Sequence, residues 1–408
     1  MKILWLKTEL LHPVDKGGKI RTYEMLKRLR RDHFVTYLTL VSPGDDPEAF
    51  DRSKEYCHRL AAVPHRVSRK FGAGFYCELG LNLGSALPYA LQKYRSSAMR
   101  RAVERETSLS DYDVVVCDFL APSVNLPSDL GVPAVLFQHN VEAMIWERHY
   151  KNETNRLKKA YLYGQWKKMY NYERKACGWF EAVVAVSDLD RELMRKEYGA
   201  DQVFDVPTGV DTQYFQPMGA EPDSSELVFT GSMDWMPNED AIIYFADEIL
   251  PCVAARVPGV KLTVVGRNPT GRLAALAEEN ERVRLTGRVE DIRPYVDRAA
   301  AYVVPLRVGG GTRLKIYEAM AMGKPVISTS IGAEGLPVRD GHEIVIADDP
   351  QAFAGAVVAL LTDRAMAERV GRAAREVVCE RFGWDRAAAA FSEVCEHVLK
   401  RGWQARAA

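Results

Sequence analysis

Residues 309–318 bring together the groups that proteins use to bind a phosphate. The run reads GGGTRLKIYE, three glycines and a threonine followed by Arg313, Lys315 and Glu318. A loop of this type at a helix N-terminus directs backbone N–H groups toward an anion, and the helix dipole adds to the attraction. Arg313 and Lys315 add two positive charges, the arginine as a fork that fits phosphate oxygens. Glu318, about a turn further on, can accept hydrogen bonds from sugar hydroxyls.

The residues that follow predict the elements that hold this loop. Apolar residues recur at helical spacing up to Gly323-Lys324-Pro325, and the run PVIS is typical of a buried strand. The helical positions are Leu314, Tyr317, Met320 and Ala321. The alternative is a glycine-rich loop before an ordinary core helix, with both cations solvated. Anion donors, two cations and a carboxylate fall within ten residues, which favours a binding site.

The segment resembles the nucleotide-sugar motif of the family 4 retaining glycosyltransferases, enzymes of the GT-B fold. It is similar to the bacterial polysaccharide-biosynthesis branch, in which the motif reads GGGTR-x-K followed by EAMAxGxPV. The wider family carries two glutamates eight positions apart, and this chain has Gly310 at the first position and Glu318 at the second. The resemblance implies that Glu318 holds the ribose, and that Arg313 and Lys315 stabilise the departing diphosphate. The other donor-binding residues that it implies here are Gly310, Gly311, Thr312 and Leu314.

Composition sets the class of protein. A chain of 408 residues predicts two domains, and 47% hydrophobic with 27% charged residues is typical of a soluble globular protein. The net charge of zero argues against a general nucleic-acid binder. Seven scattered cysteines without a C-x-x-C pair predict no zinc site and suit a reducing compartment. The first residues read as a strand, and no run reaches the ~18 apolar residues of a membrane span. We therefore expect a cytoplasmic protein.

The N-terminal half reads as a Rossmann-like unit. A short apolar strand over 2–7 precedes Gly17-Gly18 and a helix, an order that lets a phosphate approach backbone N–H groups. A dinucleotide site would need G-x-G-x-x-G, which is absent. The resemblance implies that Gly17 and Gly18 lie at the donor phosphates. Arg21 is interpreted either as a helper residue on the acceptor side or as a surface charge.

Polar residues follow the buried strand predicted over 134–138. His139 and Glu142 come just beyond its carboxyl end, where open α/β sheets place their ligands. A lone histidine is more often structural, but the family often places a histidine here against the donor sugar. We therefore predict that His139 orients the sugar, and we interpret Glu142 as an acceptor-side residue on weaker grounds.

Two basic stretches are open to two interpretations. Residues 87–105 predict one helix with arginines on its outer side, and residues 155–180 interleave seven Lys and Arg with tyrosines and Trp166. Either stretch can be a surface helix with a solvated face, which we favour. Each can also contact an anionic membrane, because basic and aromatic residues together are typical of interfacial helices. Residues 87–105 can instead contact an acidic acceptor.

The C-terminal half predicts a second Rossmann-like domain after a polar linker over 218–226. Its first strand ends at Gly231-Ser232, where the wider family places an arginine and then a lysine that clamp the pyrophosphate. This chain has neither between Ser232 and Asn238, so we expect the positive charge to come from Arg313 and Lys315. The resemblance also places Gly231 at the donor, and the base of the nucleotide against Arg288 and Val289.

These features predict an α/β protein of the GT-B fold, with two Rossmann-like domains whose parallel sheets face each other across a deep cleft. The predicted domains are 1–217 on the acceptor side, with a last helix over 385–408 packing back on it, and 218–384 on the nucleotide-sugar side. The expected reaction is retaining transfer of a hexosyl unit from a nucleotide-diphosphate sugar to a lipid-linked or saccharide acceptor, without a metal or other cofactor. The expected partners are these two substrates and, peripherally, the inner face of an anionic membrane; nucleic acid is not expected. The alternatives are a nucleotide-sugar epimerase of the same fold and a non-catalytic binding protein.

Overall fold

A computed structural model describes residues 1–69, 71–308 and 314–407, with side chains described to residue 401. The chain divides into two compact units, residues 1–208 with 384–408 and residues 209–383. Residues 209–217 belong to the second unit, where the N–H of Val210 donates to the carbonyl of Phe382 at 2.7 Å.

The first unit is a seven-stranded parallel sheet covered by helices. Its strands run in the order β3-β2-β1-β4-β5-β6-β7. The strands are β1 (Lys2–Lys7), β2 (Phe34–Val41), β3 (Arg59–Pro64), β4 (Val114–Asp118), β5 (Ala134–Phe137), β6 (Ala182–Ala185) and β7 (Val203–Asp205). The helices are α1 (Gly17–Asp32), α2 (Pro47–Asp51), α3 (Ala73–Asn82), α4 (Tyr89–Gln92), α5 (Ser97–Leu109), α6 (Glu142–Asn152), α7 (Arg156–Cys177) and α8 (Asp188–Tyr198). Central strands β4, β5 and β6 are buried along their whole length, as their apolar runs predict.

The second unit is a six-stranded parallel sheet in the order β10-β9-β8-β11-β12-β13. The strands are β8 (Asp223–Thr230), β9 (Lys261–Val265), β10 (Val283–Leu285), β11 (Ala299–Val304), β12 (Val326–Ser328) and β13 (Val345–Ile346). The helices are α9 (Met236–Tyr244), α10 (Leu250–Ala254), α11 (Gly271–Glu279), α12 (Arg293–Arg298), α13 (Leu314–Ala321), α14 (Pro350–Thr362) and α15 (Arg364–Arg381). Two parallel Rossmann-like domains confirm the predicted fold class.

The last helix, α16 (Trp384–Ala407), belongs to the first unit. The ring of Phe391 packs 5.4 Å from that of Trp5 on β1 and 5.0 Å from that of Phe137 on β5. The hydroxyl of Ser392 lies 2.8 Å from Nε2 of His33, just after α1. Apolar and polar contacts thus both attach the end of the chain to the first sheet.

Two predicted segments differ from the structure. The single helix over 87–105 is instead α4 and α5, because the side chain of Ser96 accepts a hydrogen bond from the N–H of Met99 and starts a new helix there. The linker over 218–226 overlaps β8, which already begins at Asp223 and pairs with Ala299 of β11. The first residues of β8 are polar, as in a linker, so composition alone placed the end of the linker too late in the chain.

Candidate functional site

The first unit gathers buried polar groups at the carboxyl ends of β1, β4 and β5. Asp118, the last residue of β4, is fully buried. Its Oδ2 accepts hydrogen bonds from Trp5 Nε1 at 2.9 Å and Lys7 Nζ at 2.9 Å. The hydroxyl of Thr22 on α1 donates to the same oxygen at 2.6 Å, and His139 Nε2 lies 2.7 Å from Oδ1. Four side chains from three parts of the chain, β1, α1 and the loop after β5, therefore converge on one carboxylate.

The charges of this cluster follow from its burial. Burial alone would raise the pKa of Asp118, but Lys7, His139 and Thr22 together hold it well below its usual value. Burial lowers the pKa of Lys7, against the attraction of Asp118, and lowers the pKa of His139 to about 3. His139 is therefore neutral. We infer that its proton is on Nε2, facing Asp118, so that Nδ1 is a hydrogen-bond acceptor.

Phe119 covers the imidazole of His139. The two rings stack with centroids 3.8 Å apart, and Phe119 has a φ of 70° in the left-handed region. A Cβ on Gly18 would lie 2.8 Å from Cζ of Phe119, so this position requires glycine in the present arrangement. The sequence interpreted Gly17-Gly18 only as a phosphate loop. The structure adds a packing reason for Gly18, and Gly17 is the first residue of α1.

Arg21 and Glu142 lie beside this cluster. The guanidinium of buried Arg21 reaches the carbonyl of His139, with Nη1 3.4 Å from the oxygen. Glu142 is the first residue of α6, and burial raises its pKa to about 7. The structure thus brings the predicted residues Gly18, Arg21, His139 and Glu142 to one end of the sheet.

Glu173 on α7 supports the same loop and was missed from the sequence. It is fully buried and accepts hydrogen bonds from the N–H groups of Glu142 at 2.8 Å and Ala143 at 2.9 Å, at the start of α6. Gln138 Nε2 and the hydroxyl of Tyr198 donate to it at 2.9 and 2.8 Å. Burial raises its pKa to about 8. Its one signal in the sequence is that it is a single acid in a basic helix.

The second unit places Lys315 at the carboxyl end of β8. Its Nζ donates to Oδ1 of Asn238 at 2.9 Å and lies 3.8 Å from the ring centroid of Phe229. A Cβ on Gly231 would lie 2.6 Å from Nδ2 of Asn238 and 3.2 Å from this Nζ. Gly231 therefore leaves the room that both side chains occupy. The predicted residues Gly231 and Lys315 are 84 positions apart in the sequence and adjacent in the structure.

Glu318 follows Lys315 by three residues on α13, so the two share a helix face. Burial raises the pKa of Glu318 to about 7, and the charge of Lys315 opposes this rise. Leu314 is the first residue of α13 and is half-buried. Gly310, Gly311, Thr312 and Arg313 lie outside the described residues.

Arg288 and Val289 follow β10, two strands from β8 in the same parallel sheet. Arg288 is exposed, Val289 is half-buried, and the turn before them uses Gly287 with a φ of 68°. Neighbouring strands lie about 4.8 Å apart, so two spacings put the start of this loop about 10 Å from Gly231.

Among the residues that the structure describes, no group of three or more His, Cys, Asp or Glu side chains could hold a metal ion. In the same residues, no helix has the length and apolar character needed to cross a bilayer. The aromatic residues of α7 are largely used in packing: Trp166 stacks on Tyr150 of α6 with centroids 5.6 Å apart.

Comparisons with known protein families match both units. A family described as Glycosyltransferase Family 4 matches residues 16–214, and one described as Glycosyl transferases group 1 matches residues 224–363. A Klebsiella pneumoniae protein, named only as an uncharacterized 44.6 kDa protein in the cps region, is 24% identical over 88% of this chain and 90% of its own length. The phosphatidyl-myo-inositol mannosyltransferase of Mycobacterium leprae is 30% identical over 55% of this chain. That alignment spans 62% of the mannosyltransferase.

Solved structures share the fold. Sucrose-phosphate synthase from Thermosynechococcus elongatus superposes with a TM-score of 0.73 at 18% identity, covering 98% of this chain and 100% of that one. Anabaena HepE, solved in complex with UDP and glucose, gives a TM-score of 0.66 at 15% identity, covering 97% and 99%. At these identities the likeness shows the fold alone.

Proposed function

We propose that this chain, a family 4 glycosyltransferase of the GT-B fold, moves a hexosyl unit from a nucleotide-diphosphate sugar to a lipid-linked or saccharide acceptor with retention of anomeric configuration. One observation carries the proposal. The ammonium of Lys315 lies beside Gly231 at the carboxyl end of β8, with Glu318 on the same helix face. A cation and a carboxylate at this edge of a parallel sheet suit a ligand that carries both phosphates and hydroxyls.

In the proposed reaction, the main requirement is to stabilise the negative charge that develops on the departing diphosphate. The bond between the sugar C1 and the terminal phosphate oxygen breaks, and both electrons go to that oxygen. The acceptor oxygen bonds to C1, and its proton passes to the departing phosphate. Lys315 would stabilise the developing negative charge, together with Arg313 and the amides of Gly310, Gly311 and Thr312. Glu318 would accept from the ribose hydroxyls, and Leu314, Arg288 and Val289 would complete the nucleotide site. The proposed reaction uses no metal, so nucleotide binding should persist in EDTA.

The first unit would contribute to sugar and acceptor binding. Nδ1 of His139 is buried and has no hydrogen-bond partner among the described residues, so it can accept from a sugar hydroxyl. The imidazole is 1% exposed and stacks on Phe119, so the proposal requires the ring of Phe119 to move when a sugar binds. Gly17 and Gly18 would then approach the donor phosphates, with Arg21 and Glu142 on the acceptor side.

The named relatives support the substrate classes. HepE was solved with UDP and glucose, which supports a nucleotide-diphosphate donor. The mycobacterial relative is named for mannosyl transfer to phosphatidyl-myo-inositol, which supports a lipid acceptor. The proposed role in surface polysaccharide or glycoconjugate synthesis rests on the resemblance of residues 309–327 to the polysaccharide-biosynthesis branch.

Calorimetric titration with UDP and GDP tests the proposal. The wild-type protein should bind one of the two saturably, and Lys315→Ala should weaken that binding. Lys261→Ala, which removes an exposed lysine on β9 of the same unit, is the matched control. Binding of neither nucleotide at millimolar concentration would contradict the proposal. Isomerisation of a nucleotide sugar without an acceptor would favour the epimerase alternative.

Nucleotide binding should depend on pH through Glu318. Its pKa is raised to about 7, so the carboxyl is mostly protonated at pH 6 and mostly ionised at pH 8. An ionised carboxylate accepts more hydrogen bonds from ribose hydroxyls than the protonated form. The dissociation constant should therefore rise as pH falls from 8 to 6. Glu318→Gln should bind more weakly at pH 8 and lose most of this dependence. An equal pH dependence in the variant would assign it to the phosphates of the nucleotide.

We also propose that the first unit contacts an anionic membrane through residues 71–83. Large apolar side chains are exposed there: Phe71 by 78%, Leu81 by 78% and Leu83 by 67%. Basic residues lie nearby, since Lys168 Nζ on α7 donates to the carbonyl of Asn82 at 2.6 Å. Exposed apolar residues next to cations are typical of interfacial segments.

Sedimentation with vesicles tests this contact. The double variant Leu81→Ser, Leu83→Ser should bind vesicles containing phosphatidylglycerol more weakly than the wild-type protein. Leu109→Ser, which changes a 77%-exposed leucine at the end of α5, should bind like the wild type. Equal binding of both variants, or equal binding to neutral phosphatidylcholine, would reject residues 71–83 as an anionic-membrane contact.

A further inference from the structure

We propose that Arg267 is a ligand of the donor diphosphate, and that Arg267 and Lys315 form its clamp from two different elements. The inference rests on the proposed function and adds residues to it. The segment from Gly231 to Asn238 contains no lysine or arginine. The structure nevertheless brings a guanidinium and an ammonium to this segment, each through a hydrogen bond.

The backbone places Arg267 next to Ser232. Strands β8 and β9 are neighbours, with Thr230 opposite Val265, so the residues after them run side by side. The N–H of Met233 donates to the carbonyl of Arg267 at 2.9 Å. A Cβ on Gly266 would lie 1.6 Å from the carbonyl oxygen of Gly231, so only glycine permits this approach. Arg267 is therefore held at the carboxyl end of β8, although it follows a different strand.

The side chain of Arg267 points along this segment. Its Nε donates to the hydroxyl of Ser232 at 3.1 Å, and both residues are half-buried. A guanidinium fixed through Nε keeps its plane in one orientation, and this geometry suits a planar contact with phosphate oxygens. Ser232 thus acts as a positioning residue for Arg267.

Asn238 connects the second cation to the same segment. Its side chain is buried, donates through Nδ2 to the carbonyl of Ser232 at 2.8 Å, and accepts from Lys315 Nζ at 2.9 Å. A hydrogen-bonded line therefore runs from Arg267 through Ser232 and Asn238 to Lys315. The two cations reach the segment 231–238 from two different elements, which suits a ligand with two linked phosphates.

One carboxylate belongs to this arrangement. Ser232 donates its hydroxyl to Asp234 Oδ1 at 2.5 Å, and Asn268 Nδ2 donates to Oδ2 at 3.0 Å. The pKa of Asp234 is lowered, first by the hydrogen bond from Ser232, then by the hydrogen bond from Asn268 and by the charge of Arg267. Asp234 is therefore ionised at neutral pH and offsets part of the positive charge. Asp234→Asn should consequently tighten diphosphate binding, whereas loss of Arg267 should weaken it.

The test compares nucleotides that differ only in phosphate. UDP, GDP and the matching nucleosides are titrated into the wild-type protein, Arg267→Ala and Arg267→Lys. Arg272→Ala is the control, since it removes an exposed arginine near the start of α11 in the same unit. Thermal unfolding of each variant is measured in parallel, so that a loss of folding is separated from a loss of binding.

Arg267→Ala is expected to weaken binding of the preferred diphosphate by about 10- to 100-fold, the range of a lost charged hydrogen bond. Its nucleoside affinity and unfolding temperature should match those of Arg272→Ala. Arg267→Lys, which keeps the positive charge but loses the planar guanidinium, should have an intermediate diphosphate affinity.

Wild-type-like diphosphate affinity in a folded Arg267→Ala would overturn the inference while leaving the proposed function intact. Equal weakening for diphosphate and nucleoside would assign Arg267 a structural role and would also overturn it. A wild-type protein that binds neither diphosphate would overturn both proposals.

Discussion

Asp118→Asn is expected to lower the free energy of unfolding by about 3 to 5 kcal/mol, the usual cost of leaving a buried charge without its partner. Asp118 and Lys7 are almost completely buried, and their charged atoms lie 2.9 Å apart. The substitution keeps the shape of the side chain but leaves the ammonium of Lys7 without a counter-charge. Chemical denaturation at pH 7 measures the change.

Two controls separate the ion pair from the other contacts of Asp118. Lys7→Met combined with Asp118→Asn should recover part of the loss, because the unpaired charge is then removed. Because the pKa of Asp118 is held below its usual value, its contribution is present above about pH 4 and is lost as the pH falls through the lowered pKa. An unfolding free energy unchanged in Asp118→Asn would show that the carboxylate does not compensate Lys7.

Lys315→Ala is expected to lower the turnover of the nucleotide sugar by about 100- to 1,000-fold, the range seen when one stabilising donor to a developing charge is removed. Its Nζ is positioned by Asn238 and by the ring of Phe229 at the point where we place the departing diphosphate. Release of nucleotide diphosphate, with and without a lipid extract as acceptor, measures turnover.

Two further variants are controls for the turnover of Lys315→Ala. Lys261→Ala should retain wild-type turnover, and Asn238→Ala should fall between it and Lys315→Ala because the ammonium stays but is no longer oriented. Wild-type turnover in Lys315→Ala would remove the residue from the chemistry and leave the clamp to other groups.

Several elements followed from local sequence. β1 has the predicted bounds, and Ser187 caps α8 through the N–H of Asp190, as a serine before a helical pattern predicts. Strand patterns in the second half also located the second Rossmann-like domain. These features depend on residues close together in the chain, where periodicity, caps and motif spacing act directly.

The contacts inside the site were decided by tertiary structure. His139 was predicted from its place at a strand end, but its neighbour Asp118 was not among the predicted site residues. Arg267 and Glu173 were likewise not among the predicted site residues. Lys315 was predicted from its motif, while its partner Asn238 lies 77 positions earlier.

The physical reason is that these partners meet through the order of strands in each sheet. β1, β4 and β5 adjoin one another, so side chains more than 100 residues apart reach the same carboxylate. β8 adjoins β9, which brings Arg267 to Ser232. Hydrophobic periodicity states that a strand is buried but not which strand lies beside it. The sequence by itself therefore determined the fold class and proposed candidate site residues, and only the folded chain decided which charged side chains lie next to one another.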